Sequence, residues 1–163
     1  MLPLVGMNIG SGDGDCYNLW DGHTIDLSPG TFTADGNPDP TDYELVYYEK
    51  PSDNPYTVMA MDLVVIWVHV AENGNWYQVF YWGNPVANQN SSIDGYGPGV
   101  DNQLIPKSVL IGPPVAQTGV QIDVDSPLTG LVTFPVTIDQ IRITAPPGGA
   151  GDGCDIDAVD IIP

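Results

Sequence analysis

The chain has 163 residues, 42% of them hydrophobic, which is enough for one domain with a real core. Its net charge of −18 rests on 21 acids against three bases, Lys50, Lys107 and Arg142. That balance excludes nucleic acid and an anionic membrane surface as direct partners, since both need a Lys/Arg face; it leaves cations or a basic partner, with plain solubility in a salty habitat as the alternative.

With 19 Gly and 16 Pro, the sequence is interrupted about every ten positions, the spacing of short strands in a sandwich or barrel. Helical periodicity is missing throughout. Strands are predicted over residues 4–9, 24–27, 43–49, 57–70, 76–82, 120–124, 131–134, 140–144 and 158–162. The clearest element is a hairpin in which Val64-Val65-Ile66-Trp67-Val68-His69-Val70 turns at Ala71-Glu72-Asn73-Gly74-Asn75 into Trp76-Tyr77-Gln78-Val79-Phe80-Tyr81-Trp82. Asn73-Gly74 supplies the positive φ that such turns need. The first strand of that hairpin is apolar at nearly every position, so it is expected to be central and covered on both faces. Residues 83–119 dissolve into Asn, Ser, Gly and Pro, which predicts a ligand-facing loop or an insertion over a sheet edge. No apolar run is long enough to span a membrane, and Met1-Leu2-Pro3-Leu4-Val5 is too short for a signal peptide. The expectation is an excised module or mature product whose export signal lies outside this chain.

The two ends carry matching clusters. Gly10-Ser11-Gly12-Asp13-Gly14-Asp15-Cys16 opens the chain and Gly149-Ala150-Gly151-Asp152-Gly153-Cys154-Asp155-Ile156-Asp157 nearly closes it, and each holds one of the two cysteines. The economical reading is that the ends meet through a Cys16–Cys154 bridge, worth about 4–5 kcal/mol for a loop of this length. Such a meeting gathers Asp13, Asp15, Asp152, Asp155 and Asp157, and that many carboxylates call for a hard cation with oxygen ligands. Calcium is therefore the expected structural ion, against the simpler reading that Asp-Gly pairs are turns. A second acidic stretch, Asp35-Gly36-Asn37-Pro38-Asp39-Pro40-Thr41-Asp42, is read as a surface loop or as a site shared with Asp21 or Asp26.

The segments Tyr43-Glu44-Leu45-Val46-Tyr47-Tyr48-Glu49, Val68-His69-Val70-Ala71-Glu72-Asn73-Gly74-Asn75-Trp76, Val100-Asp101-Asn102-Gln103, Gly119-Val120-Gln121-Ile122-Asp123-Val124-Asp125, Ile141-Arg142-Ile143-Thr144 and Asp155-Ile156-Asp157-Ala158-Val159-Asp160-Ile161 follow one another in a familiar order. In that order the chain resembles the galactose-binding-like (discoidin-like) jelly rolls of bacterial cell-surface proteins, from about Thr24 onward. The resemblance implies an all-β fold, a two-sheet antiparallel β-sandwich of jelly-roll type with adjacent termini. It also implies a structural calcium near those termini, where the closing motif matches at Asp157 and Asp160, and a surface or carbohydrate ligand held by loops at one end. Val159 stands where related carbohydrate modules often place a carboxylate.

Sugar rings stack on exposed aromatic faces, and Trp20, Tyr56 and Tyr96 lie in loop-like contexts, which makes them the expected ligand residues. Aromatics on strands, Trp67, Trp76, Tyr81 and Trp82 among them, are assigned to the core or to cross-strand pairs. His23 and His69 are the only histidines, His69 with a packed role, and nucleophile elbow, zinc and phosphate-loop motifs are all missing, so no enzyme is expected. Asn90-Ser91-Ser92 is a glycosylation sequon.

The sequence thus predicts one domain over residues 1–163, a secreted or surface-exposed, calcium-stabilised binding or adhesion module for carbohydrate or another surface ligand. Residues 1–9 are read as an exchangeable strand, which supports a rival: a subunit of an extracellular filament or surface layer that adds strands to copies of itself.

Overall fold

The computed structural model describes residues 17–28, 30–37, 39, 41–50, 57–85, 90–112, 117–148 and 153–162, with Tyr17 described by its backbone only. The strand predicted over residues 4–9 lies outside them. Among the described residues run β1 (Tyr17–Leu19), β2 (Thr24–Leu27), β3 (Phe32–Ala34), β4 (Leu45–Glu49), β5 (Val58–Met61), β6 (Val64–Val70), β7 (Asn75–Trp82), β8 (Gln103–Pro106), β9 (Gly119–Ile122), β10 (Val136–Thr144) and β11 (Cys154–Ile161). A single helical turn, α1 (Asp125–Leu128), follows β9.

The expected antiparallel sandwich is the observed one. One sheet has the order β1-β11-β4-β9 and the other β2-β10-β6-β7, with β3 on the same edge of β10 as β2; β5 and β8 form a separate two-stranded ribbon. The core lies between the sheets because each strand turns alternate side chains inward. β6 contributes Val64, Ile66, Val68 and Val70, β10 contributes Val136, Ile138, Ile141 and Ile143, and these meet Leu45, Tyr47, Val120, Ile122 and Ile156 from the other sheet. Trp82, Tyr47 and Phe80 are the largest side chains sealed within it. The β6–β7 hairpin forms as predicted: Gly74 takes φ 69° and its N–H donates to the Val70 carbonyl at 2.9 Å. β1 pairs with β11, so the first described strand lies beside the last.

Three expectations change. The predicted strand over 57–70 is two, because β5 leaves for the ribbon with β8 while β6 enters the large sheet. Residues 131–134 are no strand: Gly130, at φ 79°, turns the chain tightly, Leu131 faces water at 62% exposure, and Thr129 and Val132 make only an isolated bridge. β6 is not covered on both faces, since Trp67 and His69 on its outer side remain partly exposed. Within 83–119, β8 supplies order that the composition hides, and Ile105 reaches the core.

Candidate functional site

Of the terminal acids, the described ones, Asp155, Asp157 and Asp160, take different places along β11. Asp155 turns outward from β11, accepts a hydrogen bond from Asn18 Nδ2 at 2.8 Å and lies 3.6 Å from Lys50 Nζ. Asp160 sits against Tyr48 on the outer face of its sheet, where burial, more than Asp160 itself, lifts the phenol above its ordinary pKa. Asp157 is nearly buried at the β-bulge between Ile156 and Ala158. Asp13, Asp15 and Asp152 lie outside the described residues. Among the described residues no group of three or more His, Cys, Asp or Glu is placed to hold a metal ion. Cys154 is a buried free thiol whose register partner on β1 is Leu19, so the expected bridge is not seen; Cys16 itself lies outside the described residues.

Acid is instead enclosed in the sandwich. Glu49 ends β4 on the inward side, 1% exposed, and accepts a 2.9 Å hydrogen bond from the Tyr47 hydroxyl. Burial and then Asp62 push its pKa well above the carboxylate range, and the same surroundings, burial first, push the Cys154 thiol far up.

A second acidic group forms around the Asp35–Asp42 stretch, with partners other than those expected. Asp26 is engaged elsewhere, by Arg142. The stretch meets Asp125 at the start of α1, 88 and 89 positions away: the Gly36 and Asn37 N–H groups donate to Asp125 Oδ2 at 2.6 and 2.9 Å. Gly36 has φ +84°, and a Cβ there would stand 2.6 Å from the Phe134 ring, so the approach requires glycine. Asp125 is 1% exposed, and its Oδ1 has no hydrogen-bond partner. Its pKa is raised, chiefly by burial, with the adjoining Asp35 carboxylate adding to the rise. Nearby, Glu44 accepts the Val124 N–H at 2.7 Å, and burial followed by Asp125 and Asp123 lifts it to about 7. The Asp123-Val124-Asp125-Ser126-Pro127 run was the missed signal: two acids beside a Ser-Pro helix start.

The aromatics divide in an equally informative way. Trp82, Tyr47 and Phe80 are core. Trp20 is 59% exposed in the turn after β1, whereas Tyr96 is partly buried and packed on the core; Tyr56 lies outside the described residues. Trp67 and Trp76 stand on the outer face of the large sheet. There Arg142 donates to Asp26 through Nε and Nη2 at 2.7 and 2.8 Å and stacks 4.0 Å over Trp76. Trp76 in turn lies 5.1 Å from the His69 ring, and His69 Nδ1 is 2.6 Å from Asp139. One chain of contacts thus crosses β2, β10, β6 and β7. The Asn90 of the sequon is buried, with its amide donating to the Val79 carbonyl, so glycosylation there would require local opening.

No protein-family model matches the chain, and neither a curated protein nor a solved structure was found similar to it.

Proposed function

We propose that the protein is a calcium-stabilised, non-catalytic binding or adhesion module of an extracellular or cell-surface setting, with carbohydrate as its ligand. The β-sandwich is compatible with the galactose-binding-like resemblance. The observation that supports the metal is Asp125: a buried carboxylate oxygen without a donor, beside a second carboxylate, Asp35, is costly unless a proton or a cation lies between them. Calcium fits that donor chemistry better than a soft metal, because only oxygens are offered. Asp35 and Asp125 would supply the charge, and main-chain carbonyls and water the remaining oxygens. The ion would neutralise the loop and tie it to α1; it has no part in any reaction. The filament alternative rests on residues 1–9, which lie outside the described residues.

Thermal melting tests this directly. Millimolar calcium added after EDTA should raise the Tm by several degrees, with magnesium much weaker, since an ion that binds only the folded state stabilises it by mass action. Asp125→Asn should abolish the calcium response while melting no lower than wild type in EDTA, because it removes one of two opposed carboxylates. A wild-type Tm indifferent to calcium would overturn the metal.

A further inference from the structure

We propose that the outer face of the β2-β10-β6-β7 sheet is the ligand platform, and that its ligand is a neutral polysaccharide chain. The inference rests on the binding-module reading and adds to it the site and the ligand class.

The first argument is charge. The chain carries a net −18, yet the only Asp, Glu, Lys, Arg or His residues in the strands of this sheet are Asp26, His69, Asp139 and Arg142. They form two pairs, Arg142 with Asp26 and His69 with Asp139. One of only three strong bases is thus spent on balancing this face. Each strand carboxylate on this face is already engaged by a side chain, and Glu72 at the β6–β7 turn accepts the Thr137 N–H, so a neutral polyhydroxyl meets polar groups already fixed by their partners.

The second argument is the placing of the indoles. Strand alternation would allow the outer positions of β6 and β7 to be small and polar; instead they carry Trp67 and Trp76, both partly exposed. Trp67 makes no side-chain hydrogen bond or ring stack among the described residues. The Arg142 stack and the His69 contact hold Trp76 in place, so its ring loses little freedom on binding. A held indole and an unengaged one beside fixed hydrogen-bonding groups are the chemistry that grips the C–H face and the hydroxyls of a sugar together. A structural cross-strand ladder explains Trp76 but gives Trp67 no function.

The experiment is affinity electrophoresis and calorimetry of the whole chain, with calcium present. The probes are soluble neutral glucans, xylan, mannan and galactan, and an anionic polyuronate. The expected result is binding to at least one neutral polysaccharide, unaffected by salt. Trp67→Ala should weaken it tenfold or more with the Tm unchanged, Trp67→Phe should restore part of it, and Leu104→Ala, an exposed change on β8, should leave it intact. Trp76→Ala should also abolish it; because that change also removes the Arg142 stack, Trp67→Ala is the deciding variant. Neutral binding retained in Trp67→Ala overturns the platform and leaves the module reading standing. Preference for the polyuronate, weakened by salt, overturns the neutral ligand. Binding to none of the probes overturns both the platform and the carbohydrate part of the module reading.

Discussion

The two sheets of the sandwich handle charge in opposite ways. In the strands of the β1-β11-β4-β9 sheet every charged residue is an acid, namely Glu49, Asp155, Asp157 and Asp160, and Glu49 is sealed inside. In the strands of the β2-β10-β6-β7 sheet acids and bases are matched, and all stand on the outer face. A buried acid without a base is held by protonation and by a hydrogen bond such as that from Tyr47; it therefore contributes to the closed core only while it stays neutral. A surface pair contributes little to the fold and is available for recognition. The difference teaches that stability should be sensitive in the first sheet and ligand binding in the second.

The largest expected effect on stability lies where β1 closes onto β11. Gly153 has φ +78°, and a Cβ added there would collide with the main chain of Leu19 and Trp20, which is rigid backbone. Gly153→Ala should therefore cost about 3 kcal/mol, combining left-handed strain with overpacking. Urea unfolding would show it as a lower midpoint. A loss below about 1 kcal/mol would mean that β1 is a loose edge and that the acid sheet is not the more sensitive one.

pH separates the sheets next. A carboxyl whose pKa rises on folding binds more protons in the folded state, so its contribution is complete at low pH and is lost as pH climbs through the folded pKa. Glu49 is raised well above the carboxylate range, and Glu44 to about 7 from an ordinary 4.5. Asp26 moves the other way, lowered first by its hydrogen bond to Arg142, so its contribution is lost as pH falls below the ordinary 3.8. The Tm in EDTA should thus decline from pH 4.5 toward 7 and beyond. Glu44→Gln should lessen the decline only up to about pH 7, Glu49→Gln should lessen it throughout and remove the part above pH 7, and Asp26→Asn should affect only the acid limb. A wild-type Tm that rises through neutrality would contradict the neutral, enclosed state of Glu49.

Much of this fold was legible because the hairpin announces itself: Asn73-Gly74 fixes the turn and the indoles mark both strands. β1, β3 and β8 were not: β1 and β3 have only three residues each, and β8 ends on a proline inside a stretch rich in Asn, Ser, Gly and Pro. β10 reads short because the register shift between Ile138 and Gln140 breaks the apolar alternation, which resumes at Ile141. The acidic loop was visible, but its partner was not. Asp26 is close in sequence and faces Arg142 on the outer sheet, whereas Asp125 arrives from far along the chain through the fold itself. The cross-strand expectation holds for Trp76, which meets His69 and Arg142, whereas nothing local reveals that Trp67 stands on the outer sheet face.

The smallest expected effect on stability is also the most diagnostic of the comparison. Arg142→Gln removes the two hydrogen bonds to Asp26 and the stack on Trp76, yet both partners are about one-third exposed, with side-chain exposures of 33% and 31% for Arg142 and Asp26. Its cost should be about 1 kcal/mol or less, smaller still in high salt, because water solvates the released Asp26. Arg142→Lys keeps the charge but not the planar fork, so it should recover only part of that margin. If chemical denaturation instead shows a loss near that of Gly153→Ala, the contact chain across the four strands is a structural brace. The sheet face would then be sensitive for the same reason as the acid sheet, and its pairing of charges would reflect folding rather than recognition.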